Sequence, residues 1–196
     1  MASAGRRDRF ARCRRRWKAV GFATLNQDYA SRRKALEALA EDIHPAIQRF
    51  ADGVDGSVHF VGHSMGGLLA RVYIARYRPK RLGRVVMLGT PNSGSEIADR
   101  LKTSWRLPRL FGPAGQQLGT QRERGRRRNA ATGRLSRRHH RRKSVDLSGG
   151  RTMLPKPHDG RVSVANTKLE GMADHVVVAD VASVAGAEWA CDRADD

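Results

Sequence analysis

Ser64 stands in Gly62-His63-Ser64-Met65-Gly66-Gly67, directly behind Ser57-Val58-His59-Phe60-Val61 and ahead of the largely apolar residues 68–77. A serine hydroxyl is a poor nucleophile until a base takes its proton, after which it can attack a carbonyl carbon. Strand-like residues, a Gly-x-Ser-x-Gly turn and helix-like residues follow one another in the order of a nucleophile elbow. Small neighbours permit the tight turn that exposes the hydroxyl. The backbone N–H of Met65 is then aimed at the oxyanion that forms. The chemistry implied is acyl transfer through a covalent serine ester. The plainer alternative is a glycine-rich strand–helix loop with an idle serine, and the order of the elements argues against it.

The elements that must carry this turn alternate. Residues 20–25, Val-Gly-Phe-Ala-Thr-Leu, read as a strand. Leu36, Leu39, Ala40, Ile43 and Ile47 recur at helical spacing after Ser31, and Pro45 is expected to kink or shorten their helix. Asp52-Gly53 and Asp55-Gly56 mark the turn into the strand before the elbow. Beyond Pro79, Val85-Val86-Met87-Leu88 is a continuous apolar run of the kind found in strands covered on both faces. Gly89-Thr90-Pro91-Asn92-Ser93-Gly94-Ser95 then forms a loop, with a short helix expected over 96–101. Alternation with buried strands predicts an α/β fold with a parallel sheet and right-handed crossovers. Trp105, Leu107, Leu110 and Phe111 are scattered among prolines and glycines, as either a lid or a loop patched onto the core. His175-Val176-Val177-Val178-Ala179 reads as a last strand.

A length of 196 residues suits one domain with a real core. The net charge of +19 is concentrated: residues 1–18 contribute +7 and residues 121–143 contribute +10, leaving about +2 elsewhere. Residues 121–150 contain almost no large apolar side chains and cannot supply a packed face, so they are expected to be disordered, as is the basic segment 1–18. Cys13 and Cys191 make no disulfide framework and have no zinc-site spacing, and no metal or cofactor is expected. No signal-peptide h-region follows the N-terminal charges, and no apolar run reaches the length of a membrane span. The expected location of the chain as written is cytoplasmic. The expected divisions are a basic segment over 1–18, a core over 19–120, an Arg-rich insert over 121–150, and the end of the core with a tail over 151–196.

Gly62–Ser64–Gly67, the run from Leu88 to Ser95 and Asp159-Gly160-Arg161-Val162 together resemble the bacterial lipase-type α/β-hydrolases. The resemblance covers about 19–120 and 152–179. It implies a Ser–Asp–His triad in that chain order, an oxyanion hole, and ester substrates, often lipids or acyl chains. Ser64 matches the nucleophile. Asp159 matches the acid that would orient an imidazole and stabilise its charged form; Asp159-Gly160 also fits a plain turn, and the family match favours the acid. Met65 matches the residue whose N–H serves the oxyanion.

Two parts of that pattern do not match. The family's histidine follows the last strand, where this chain reads Ala179-Asp180-Val181-Ala182-Ser183 with no histidine through Asp196. His175 precedes that strand, at the edge opposite the carboxyl ends where catalytic groups gather, and reads as a solvated or capping side chain. His158, His63, His139 and His140 fit no better. The family's His-Gly loop, which donates the other oxyanion N–H, has no counterpart in residues 1–18. Losing one such donor costs about 10²–10³ in rate.

The sequence therefore predicts an α/β-hydrolase-like core, incomplete at its N-terminus and interrupted by a disordered Arg-rich insert. It would perform serine-dependent ester hydrolysis, weak or lost in this chain, on an ester or lipid small molecule. The alternative is an inert scaffold whose basic tracts hold nucleic acid or anionic lipid. The arginines lack interleaved aromatics, which argues against a single-strand reader. The tracts also fit plain solvated disorder, or shifted reading frames of a GC-rich gene, which would read as Arg, Ala and Gly. Resequencing the gene and translating every frame is expected to restore a His-Gly loop upstream or a late histidine. If neither alternative frame does so, the frame-shift explanation is wrong.

Overall fold

The structure, a computed structural model, describes residues 10–95, 113–114, 117, 157–158 and 162–179, together with the backbone of 140–143; for 178–179 it describes the backbone only. The chain divides into two compact units, residues 1–26 with 182–196 and residues 27–181.

In the first unit Ala11–Ala19 form a helix, α1, where the sequence reading expects disorder over 1–18. Arginine and alanine keep most of their side-chain freedom in a helix, and Arg16 and Lys18 in its last turn favour the negative end of the helix dipole. Cys13 is fully buried and disulfide-bonded, a single link where the sequence reading found no disulfide framework; the chain's other cysteine, Cys191, lies outside the described residues. Residues 20–25 are not a strand, a second correction. No described strand pairs with them, and Val20, Phe22 and Leu25 stay exposed. Strand propensity without a neighbour to take the backbone N–H and C=O groups makes no ladder.

The second unit holds the elbow. Leu36–Asp52 form α2, Val58–His63 form β1, Met65–Tyr77 form α3 and Leu82–Leu88 form β2. β1 and β2 are parallel, with Phe60 opposite Val85 and His63 opposite Leu88. Parallel pairing across an intervening helix is what the alternation predicts. Leu36, Leu39, Ala40 and Ile43 are the buried face of α2, as their spacing requires. They pack with Leu68, Leu69, Tyr73 and Ile74 of α3 and with Val85 and Met87 of β2. Pro45 does not shorten α2, which continues to Asp52. The lost backbone N–H is outweighed by the apolar face that the rest of the helix buries.

The start of α2 has no cap of its own, since Ala35 at the N-cap carries no acceptor. Gln117 supplies one from far along the chain: its Oε1 accepts from the Leu36 N–H at 2.9 Å and its Nε2 donates to Glu37 at 2.8 Å. Ala114 is fully buried in the same core. Pro113 and Ala114 are helical, and Ala114 and Gln117 lie against the core. The helix expected over 96–101 and the apolar residues 105–111 lie outside the described residues. His140–Lys143 form β3, inside the stretch expected to be disordered, and pair in parallel with Val176–Ala179, β4. Val164–Thr167 form a single turn of helix, α4, capped by the Ser163 side chain. Among the described residues no helix is long and apolar enough to cross a membrane.

An aromatic cluster ties α2 to α3. His44 stacks on Tyr77 at 3.8 Å between ring centroids, and its Nδ1 lies 3.1 Å from the Tyr73 hydroxyl. Tyr73 is buried, and desolvation, followed by the neighbouring Tyr77, pushes its hydroxyl above the ordinary tyrosine range. A folded state that holds this proton more tightly than the unfolded chain loses stability as pH rises past about 10. The urea midpoint is therefore expected to fall between pH 9 and pH 11. Tyr73→Phe is expected to flatten that fall, and an unchanged slope would contradict the assignment.

Candidate active site

β1 ends at His63, and the next residue takes a conformation that L residues rarely adopt. Ser64 has φ 54° and ψ −120°, one of two non-glycine residues with positive φ among those described. Such a backbone costs about 1–3 kcal/mol and persists only where the surroundings fix it. Here the Ser64 N–H donates to the Leu88 carbonyl at 2.8 Å, extending the β1–β2 ladder by one residue. Its own carbonyl accepts from the Gly67 N–H at 3.1 Å, which starts α3. Ser64 is thus pinned between the carboxyl end of a sheet and the N-terminus of a helix. Met65 is the first residue of that helix, where backbone N–H groups have no intrahelical acceptor.

The glycines have separate reasons. A Cβ on Gly62 would lie 2.5 Å from the Gly67 nitrogen, so the strand can approach the helix only without a side chain there. A Cβ on Gly67 would lie 2.1 Å from the Thr90 hydroxyl oxygen. Gly66 is looser, with the Tyr29 hydroxyl 3.4 Å from the corresponding position. Thr90 is fully buried, and its hydroxyl has no hydrogen-bond partner among the described residues. It fills the space that Gly67 leaves open.

The loop after β2 reaches in the other direction. Arg71 of α3 donates to Asn92, and Asn92 in turn donates to the Thr167 carbonyl of α4. The loop therefore connects the elbow helix to residues 163–168, which follow Asp159 in sequence. Sequence reading identified the Thr-Pro-Asn-x-Gly-Ser motif by resemblance and assigned it no such contact.

Of the three residues singled out from sequence, Ser64 and Met65 meet at the β1–α3 junction. Asp159 lies outside the described residues; of its neighbours, His158 forms an isolated antiparallel bridge with Ser163. His175 is half-buried, and its Nε2 lies 3.0 Å from the Thr167 hydroxyl oxygen. That hydroxyl donates its one proton to the Val164 carbonyl at 2.7 Å, so Nε2 must be the donor to it. A triad base presents Nε2 to the serine, and here that nitrogen is occupied. His44 and His59 are likewise engaged, with Tyr73 and with the Arg84 N–H. Among the described residues no side chain is hydrogen-bonded to the Ser64 hydroxyl. The same residues contain no cluster of His, Cys, Asp and Glu able to hold a metal ion.

The family described as alpha/beta hydrolase fold matches residues 9–163. A triacylglycerol lipase of Pseudomonas fragi is 43% identical over 53 residues, 27% of this chain and 18% of that protein. One of Pseudarthrobacter phenanthrenivorans is 48% identical over 42 residues, 21% of this chain and 13% of the relative. The matches therefore span less than a fifth of these relatives' length. In structure, the chain is similar to the mature form of a Bacillus licheniformis lipase, with a TM-score of 0.57 and 20% identity, over 76% of this chain and 68% of that one. It is also similar to a metagenomic carboxyl esterase, with a TM-score of 0.61 and 18% identity, over 87% and 58%. At these identities the structural likenesses speak for the fold.

The contact between Gly67 and Thr90 has a direct test. Gly67→Ala is expected to destabilise the chain by about 1–3 kcal/mol, the usual range for overpacking. Adding Thr90→Ala should recover part of that loss, because the two side chains compete for one space. Urea midpoints of the two single variants and the double variant measure it, and strict additivity would contradict the contact.

Proposed function

Because this chain belongs to the alpha/beta hydrolase fold family, with lipase and esterase relatives, we propose that it hydrolyses carboxylic esters at Ser64 through an acyl-enzyme. The observation that carries this reading is the backbone of Ser64, held at φ 54° where β1 meets α3. That conformation is costly, and strain of this kind concentrates where a side chain must be presented. The Ser64 hydroxyl would attack the carbonyl carbon. The Met65 N–H, at the positive end of the α3 dipole, would stabilise the resulting oxyanion. Asp159 would be the acid of the site, and with no described histidine bonded to Ser64 a water molecule would take the serine proton. The ester C–O bond then breaks, the alcohol leaves with that proton, and water releases the acid from Ser64.

The substrate class in this reading is an ester of a small molecule or lipid, supported by the likeness to the two triacylglycerol lipases. With no base bonded to the serine among the described residues, turnover is expected to be slow. His175 is not that base in this reading, because Thr167 holds its Nε2.

Two variants test the reading. Slow release of p-nitrophenol from a short-chain p-nitrophenyl ester is expected from the wild type and only background from Ser64→Ala. Equal rates from both proteins would overturn the role of Ser64. His175→Ala is expected to change the rate by less than about threefold, whereas loss of a general base costs about 10²–10⁴. A loss in that range would make His175 the base.

A further inference from the structure

Asn92 is 6% exposed and uses the two ends of its amide on different parts of the second unit. Its Oδ1 accepts from Arg71 Nη1 at 3.1 Å, and its Nδ2 donates to the Thr167 carbonyl at 2.8 Å. Arginine can only donate and a carbonyl can only accept, so the orientation of the amide is forced. Beside it the Ser93 N–H donates to the Asn166 carbonyl at 2.9 Å, a second tie between the same two segments. Arg71 lies on α3, whose N-cap is Ser64. Thr167 closes α4, which begins directly after Ser163.

We infer that Asn92 is a positioning residue, fixing the segment that follows Asp159 in sequence against the helix that presents Ser64. The inference rests on the ester-hydrolase reading of Ser64. Its physical basis is that one planar amide supplies both an acceptor and a donor at a buried point. No carboxylate or aliphatic side chain of similar size can do so. Breaking one arm leaves a buried carbonyl without its donor, a strong drive for residues 163–168 to move. A reacting group displaced by about 1 Å can lose about 10²-fold in rate.

Asn92→Asp separates the arms, since the carboxylate still accepts from Arg71 but cannot donate to Thr167. The purified full chain, this variant and Ser64→Ala are compared by p-nitrophenyl ester kinetics and by amide hydrogen exchange. Exchange of the Ser93 amide is expected to rise at least about 10-fold in Asn92→Asp, with that of the Ser64 amide unchanged. The kcat is expected to fall about 10–100-fold with KM within about twofold, the signature of an effect confined to the transition state. Asn92→Leu, close to asparagine in size and with no donor for Thr167, is expected to match it. An unchanged kcat, or a fall that only follows the fraction of folded protein, overturns the positioning role. Turnover equal in wild type and Ser64→Ala removes the reading of Ser64. Turnover that needs Ser64 but ignores Asn92 removes this inference alone.

Discussion

The close approach of Gly62 to Gly67 is the constraint on which the rest of the site depends. With 2.5 Å between a would-be Cβ and the Gly67 nitrogen, any side chain at position 62 would push β1 away from α3. The junction between them would open, and Ser64 could relax out of its positive φ. Two backbone hydrogen bonds hold that conformation, one donated by Ser64 to the end of β2 and one accepted by Ser64 from the start of α3. Its energetic cost is met by the surrounding core, where Leu68 and Leu69 of α3 and Val85 and Met87 of β2 are almost fully buried. Sheet, helix and turn are therefore one mechanical unit.

Thr90 and Asn92 extend that unit outward. Thr90 occupies the space beside Gly67, and Asn92 joins Arg71 to the carbonyl of Thr167. The same short loop thus touches the elbow on one side and the segment after Asp159 on the other. The aromatic cluster of His44, Tyr73 and Tyr77 lies farther along α3 and fixes that helix to α2. Its role is in the scaffold.

The elbow was legible in sequence because its signals are local: a strand-like run, glycines at fixed offsets and a helical run follow one another without interruption. The buried face of α2 and the parallel partner β2 were legible for the same reason, through periodicity and a continuous apolar run. The ties that matter most to the site were not legible. Gln117 caps α2 from 81 positions beyond Leu36, and Asn92 reaches Thr167 across 75 positions. No local pattern marks either. Residues 20–25 misled because strand propensity says nothing about whether a partner strand is present. Residues 11–19 misled because an Arg-rich composition, taken as a sign of disorder, is also compatible with a helix.

The central claim is that the strained turn presents Ser64 as the nucleophile of an ester hydrolase. Labelling with a fluorophosphonate, followed by peptide mapping, addresses it directly because the reagent captures the serine without needing a complete turnover. The account predicts slow modification confined to Ser64 and none at any residue in Ser64→Ala. Modification of another residue, or equal labelling of the two proteins, would contradict it.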